Sequence, residues 1–292
     1  MQWKADRGLQ FRMFLTMFLL AGLYIVFIAA LWLYSGGSLV AIALMFALFS
    51  LGQWYFSDKL TLWSMGAKEV SEEEYPKLHA MVQRLSQQAD VPKPKVAVVD
   101  SRNPNAFATG RSQKHAAVAV TTELMRILDD DELEGVLAHE LAHVKNRDVM
   151  VMTIASFLST IAFLIVRWGA FFGGGRNRNG GGGVIVAILV SLVVWIFSYL
   201  LIRALSRYRE FAADRGAAII TGKPRALASA LQTISGDMHR VPKEDIREQA
   251  EMNAFFIIPI SGSAITRLFS THPSTERRIE RLQQLEREME SV

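Results

Sequence analysis

"LAHELAHVKNRD", Leu137 to Asp148, is the stretch on which the reading of this chain turns. It sets His139 and His143 four residues apart, with Glu140 directly after the first. On a helix, residues four apart lie about 40° apart in azimuth and one turn apart in height, so both imidazoles can present a nitrogen to one ion. Glu140, about 100° round from His139, stands beside that ion, placed to take a proton from a metal-bound water. Directly afterwards, from Val149 to Val166, the chain is apolar for eighteen residues. A water-using site thus borders a segment suited to lipid.

Composition points the same way. The 292 residues are 51% hydrophobic and 21% charged, too apolar for an ordinary soluble enzyme. Four uncharged runs carry the excess: Met13 to Tyr34, Ser38 to Tyr55, Val149 to Val166 and Val184 to Ile202. Each is near the roughly 17 to 25 residues that a helix needs to cross a bilayer core. The first is too long for a signal peptide and is followed, after "SGG" at 35–37, by the second, so it reads as an uncleaved anchor. With no cysteine in the chain, a zinc ion must be held by imidazole and carboxylate.

The formal charge is only +4, but its placement orients the chain. Lys4, Arg7 and Arg12 precede the first run, and twelve Lys or Arg lie between residues 57 and 148. The positive-inside rule therefore puts the N-terminus and that segment in the cytoplasm. Arg176 and Arg178 in the Gly-rich loop 173–183 pull against an external placement of the second hairpin. No aromatic interleaving or nucleic-acid motif accompanies the basic residues, which excludes a nucleic-acid partner and leaves the lipid bilayer.

Between the runs, "SEEEYPKLHAMVQRLSQQADV" pairs Ser71 with Glu74 as a capping box and spaces Leu78, Met81, Val82 and Leu85 for one helix face. "KVAVVD", "NAFATG" and "AAVAVTT" read as a small sheet of three strands. The acidic residues Asp129 to Asp131 start the helix that carries His139 and His143, with Leu133, Val136, Leu137, Leu141 and Val144 on its buried face. "LSRYREFAADRGAAIITG" is helical up to Gly222, and "STERRIERLQQLEREME" forms the last helix. His79, His115 and His239 lack partners at ligand spacing and read as surface or structural residues.

A catalytic zinc takes three protein ligands and leaves the fourth place to water. "REFAADRGAA" offers Glu210 as the third, with Asp214 four residues on. Like charges at that spacing repel unless something positive lies between them. Zinc on Glu210, with Asp214 accepting the outer N–H of a ligand histidine, supplies the positive charge; Arg207, Arg209 and Arg215 balancing the acids in solvent is the alternative. If the third and fourth runs form a hairpin, both ligand segments return to one membrane face.

"NAFATG", "AHELAH", "REFAAD" and "THPSTERRI", in this order and among four apolar runs, resemble the HtpX family of bacterial membrane-bound zinc proteases, relatives of the eukaryotic CaaX prenyl proteases. The resemblance covers nearly the whole chain. It implies one zinc per chain on His139, His143 and Glu210, Glu140 as catalytic base, and Asp214 behind the ligands. It also implies that Asn105, Ala106, Phe107, Ala108 and Thr109 form an edge strand beside which substrate lies extended, where backbone pairing grips many sequences; a plain strand and turn is the alternative. Family members are associated with quality control of misfolded membrane proteins under stress. His272 either donates to the oxyanion of the tetrahedral intermediate, or Thr271 to Pro273 cap the last helix while Arg278 pairs with an acid near the site.

The expectation is an α-helical membrane protein with four apolar helices and a cytoplasmic α+β zincin-like (gluzincin) protease domain. Residues 1–56 form the first transmembrane hairpin and 57–148 the first part of the protease domain. Residues 149–202 form the second hairpin and 203–292 the second part of the protease domain. The expected activity is zinc-dependent endopeptidase cleavage of misfolded or damaged membrane proteins at the cytoplasmic face of the bacterial inner membrane, by zinc-activated water. One rival is cleavage within the bilayer, against which the charged flanks of "HELAH" speak. The other is a non-catalytic zinc-binding scaffold or chaperone, which has no need of Glu140.

Overall fold

Alternating side chains in "KVAVV" leave both faces of that strand apolar, and the sheet is accordingly covered on both sides. The computed structural model describes residues 7–35, 44, 48, 51–52, 55–172, 181–238 and 273–291. The chain divides into two compact units, one of Met1–Ala5, Phe56–Val149 and Arg207–Val292, the other of Asp6–Tyr55 and Met150–Ser206.

In the first unit, α2 (Ser57–Ser64) leads to β1 (Lys68–Glu69), α3 (Pro76–Ala89), β2 (Lys95–Val99), β3 (Ala106–Thr109) and β4 (Ala117–Thr121). The short α4 (Thr122–Ile127) and α5 (Asp130–Lys145) follow. The sheet has four strands in the order β1-β2-β4-β3, one more than expected, because the two residues of β1 pair antiparallel with β2. β2 and β4 run parallel, and β3 closes the edge antiparallel to β4 with Phe107 opposite Ala119. Val96, Val98, Val118 and Val120 pack with α3 and α5 in the main core. Ala97, Val99, Phe107 and Ala119 face the other way, onto Leu62 of α2 and Met65 just after it.

Two local expectations shift. The Ser71–Glu74 bonds exist, but they close a turn, and α3 starts only at Pro76, whose missing N–H suits the first helical position. α5 opens on a capping box of Asp129 and Glu132, yet every residue from Glu132 to Ala142 is buried, not one face alone. The helix is enclosed by the sheet, by α3 and by α8 (Pro224–Met238), whose Leu227 backbone lies so close to Gly135 that a Cβ there meets Leu227 N at 2.9 Å.

The second unit takes α1 (Arg7–Ser35), nearly all of α6 (Asp148–Phe172) and the first part of α7 (Gly181–Thr221). Leu20, Tyr24, Phe27, Ala155, Ala162, Val194 and Leu205 form its core, and the Tyr24 hydroxyl donates to the Ala155 carbonyl at 2.6 Å. Phe11, Phe14, Phe18, Leu189 and Phe197 are left exposed, as lipid-facing side chains are. Among the described residues, two helical stretches are long and apolar enough to cross a membrane, Arg7–Phe27 and Ile188–Thr221. The run 38–55 lies mostly outside the described residues, and the run 149–166 lies in α6, some of whose side chains also lie outside them. α7 is one continuous helix that ends, as the sequence reading expects, before Gly222, which takes φ +70. α9 (Thr275–Glu290) completes the first unit.

Candidate metal centre

Two i, i+4 pairs meet in the first unit: His139 and His143 on α5, Glu210 and Asp214 on α7. Nε2 of His139 and Nε2 of His143 lie 3.1 Å apart. Glu210 approaches them with Oε2 at 3.6 Å from His139 Nε2 and Oε1 at 3.4 Å from His143 Nε2. An ion held tetrahedrally at about 2.0–2.1 Å needs ligand atoms roughly 3.3 Å apart, so these three donors fit one zinc ion. They are also the one group of three or more His, Cys, Asp or Glu among the described residues spaced to hold a metal.

The far nitrogens of both rings are held by carboxylates. His139 Nδ1 lies 3.0 Å from Asp214 Oδ1, and His143 Nδ1 lies 2.5 Å from Asp148 Oδ2. Such contacts turn Nε2 toward the ion and raise its basicity. Each carboxylate has a buried guanidinium behind it. Arg278 donates to Asp214 twice, Nε to Oδ2 at 2.9 Å and Nη2 to Oδ1 at 2.6 Å, and its Nη1 lies 3.5 Å from Glu210. Arg209 Nη2 lies 2.8 Å from Asp148 Oδ2.

Charge supports the same fit. Glu140, Asp148, Glu210 and Asp214 are buried carboxylates, against the buried guanidiniums of Arg209 and Arg278. Even without Glu140, the other three carboxylates outnumber the two guanidiniums, and a divalent cation offsets that negative charge. Burial and Arg278 press the His139 ring toward its neutral form, but Asp214 and Glu210 outweigh them and raise its pKa above the ordinary value. Burial raises the Glu140 carboxyl above the usual carboxylate range, with His139 and His143 opposing the shift. Burial also works against the Arg278 charge, but Asp214 more than offsets it and the pKa is raised.

Of the residues singled out in the sequence, His139, Glu140, His143, Glu210, Asp214 and Arg278 converge here. Glu140 accepts a hydrogen bond from the Ala108 backbone, which brings the edge strand to the site. Asn105 is buried, donating its N–H to Thr121 Oγ1 at 2.9 Å, and Phe107 turns to the opposite face of the sheet. His272 and Thr271 lie outside the described residues; the N-cap of α9 is Ser274, whose side chain accepts from Arg277 N. His79 bonds the Val70 carbonyl and His115 bonds Ser112; His239 lies outside the described residues. The sequence reading passed over Asp148 and gave Arg209 only a solvent role, although Arg209 is buried. Nothing in "KNRD" marks Asp148 as a partner of His143; the contact follows from the end of α5 at Asn146 and a left-handed Arg147 (φ 57).

Comparison with known proteins agrees with this geometry. The family model described as peptidase family M48 matches residues 72–286. The chain is similar to Protease HtpX homolog 2 of Methanosarcina mazei, 60% identical over 291 residues and 99% of both chains. It is similar also to a Protease HtpX homolog of Moorella thermoacetica, 58% identical over 99% of this chain and 98% of that one. Among solved structures, S. mikatae Ste24p shares the fold at a TM-score of 0.55 and 17% identity, over 94% of this chain and 66% of that one.

Proposed function

The chain belongs to peptidase family M48, a membrane metallopeptidase, and from that premise we propose that it is a zinc-dependent endopeptidase whose site is built on His139, Glu140, His143 and Glu210. The observation that carries the proposal is the set of three donors, 3.1 to 3.6 Å from one another, with the Glu140 carboxyl beside them. Zinc, when bound, lowers the pKa of a water and polarises the substrate carbonyl. Glu140 would accept the proton of the attacking water and return it to the leaving nitrogen, a task suited to a carboxyl whose pKa burial has raised. Asp214 orients His139, and Arg278 holds Asp214 charged and in place.

β3 receives the polypeptide. Thr121 N–H donates to the Asn105 carbonyl, and by the alternation of an antiparallel ladder Phe107 and Thr109 also face β4. Ala106 and Ala108 therefore turn their backbone groups away from β4, and the Ala108 bond to Glu140 matches that register. The backbone groups of Ala106 and the Ala108 carbonyl remain to pair with an extended chain with little regard to its side chains, which suits damaged polypeptides as substrates. His272 stays open as an oxyanion donor.

The protein sits in the cytoplasmic membrane, and the unit holding the site faces the cytoplasm. Lys4, Arg7 and Arg12 before the first run, with no charge in "SGG" at 35–37, support that side. Misfolded membrane proteins are the substrates. Zinc content by mass spectrometry together with cleavage of an unfolded substrate in detergent tests the reading: zinc near one per chain with chelator-sensitive cleavage is expected. A metal-free, fully active protein overturns it.

A further inference from the structure

Asp148 is the first residue of α6, and as a helix start it needs no special explanation. Its surroundings do. It is only 5% exposed, its Oδ2 lies 2.5 Å from His143 Nδ1, and the same oxygen lies 2.8 Å from Nη2 of Arg209, itself 5% exposed. In an uninterrupted helix a residue five after His143 stands about 140° round from it and cannot touch its ring. The contact exists because α5 ends at Lys145 and Arg147 takes a left-handed conformation, φ 57, which a non-glycine residue adopts at a cost. The break between the two helices lets this carboxylate reach this histidine.

The two histidines differ in what surrounds them. The His139 side chain is 1% exposed, enclosed by Asp214, Glu210 and Arg278. The His143 side chain is 19% exposed, and on its Nδ1 side the carboxylate of Asp148 is the group that fixes which way the ring points. An imidazole turned by half a rotation presents carbon where Nε2 stood. A buried carboxylate with one hydrogen-bonded ring also needs a counter-charge, which Arg209, the residue directly before Glu210, supplies.

We propose that Asp148, held by Arg209, is a positioning residue of the metal centre: it sets the tautomer and direction of His143 so that Nε2 is turned to the ion. The proposal rests on the reading of His139, His143 and Glu210 as zinc ligands. It makes Asp148 and Arg209 the counterpart, for His143, of what Asp214 and Arg278 are for His139.

The test uses the full chain in detergent, with zinc affinity measured by chelator competition and melting measured with and without zinc. Asp148→Ala is expected to weaken zinc about 10- to 100-fold. The isosteric Asp148→Asn, which keeps an acceptor but not the charge, is expected to weaken it less. In both, the rise in melting temperature on adding zinc shrinks, over and above the fall in zinc-free melting that follows from leaving the buried Arg209 without Asp148. Parental zinc affinity in Asp148→Ala overturns the proposal. So does an equal fall in melting with and without zinc at unchanged affinity, which marks a helix start alone. Zinc bound at parental stoichiometry by His143→Ala overturns the ligand reading instead, and the two failures are thereby separated.

Discussion

Glu210 and Asp214, one turn apart on α7, reach opposite ends of the same imidazole: Glu210 Oε2 lies 3.6 Å from His139 Nε2 and Asp214 Oδ1 lies 3.0 Å from His139 Nδ1. Two like charges at this spacing are unfavourable on an isolated helix. Here the ring, Arg278 and the proposed cation lie between them, so the pair holds the second half of the site to the first.

The third ligand should be separable from the rest. Glu210→Ala is expected to lose zinc and activity together, whereas Glu210→Asp, with a shorter reach, retains weak zinc binding. Metal analysis of purified variants checks this; unchanged stoichiometry and turnover in Glu210→Ala removes Glu210 from the site.

Zinc affinity should fall with pH in a stated direction. The carboxylates raise the proton affinity of the His139 ring above its ordinary value, and zinc must displace that proton. Below the raised pKa, each unit of pH lost is expected to weaken zinc by up to about tenfold for this one proton. Chelator competition at pH 8 and pH 6 measures it, and a pH-independent affinity counts against the ring as a ligand.

Gly135 sets how closely α5 and α8 approach. A Cβ there meets Leu227 N at 2.9 Å and Leu227 Cα at 3.0 Å, both backbone atoms that cannot rotate away. Gly135→Ala is expected to destabilise the first unit by about 1–3 kcal/mol, the usual cost of overpacking, read as a lower melting temperature.

Much of this arrangement is written locally. Each of the two ligand motifs is an i, i+4 pair on one helix, and helical geometry alone aligns its members. The join between the motifs is not local; the like-charge pair Glu210 and Asp214 hinted at it, and the resemblance supplied the roles. Asp148 escaped notice because its role depends on a left-handed break at Arg147, a residue with no turn propensity to mark it. β1 escaped because two residues carry no period, and the pairing with β2 alone makes them a strand. Ser71 and Glu74 formed the expected box, but Pro76 decided where the helix begins.

The cytoplasmic placement is open to a direct test because the chain has no cysteine. Lys114 is exposed on the first unit, so Lys114→Cys gives a single labelling site. In spheroplasts an impermeant thiol reagent is expected to leave it unlabelled until the membrane is broken. Labelling of intact spheroplasts reverses the orientation.

The central claim, that zinc is held by His139, His143 and Glu210 while Glu140 moves the proton, is tested most directly by Glu140→Gln. Zinc content and cleavage of an unfolded substrate are measured on the same purified sample. The account predicts parental zinc with cleavage reduced by about 10²- to 10⁴-fold or more, the usual contribution of a general base. Near-parental cleavage by Glu140→Gln with zinc bound contradicts it.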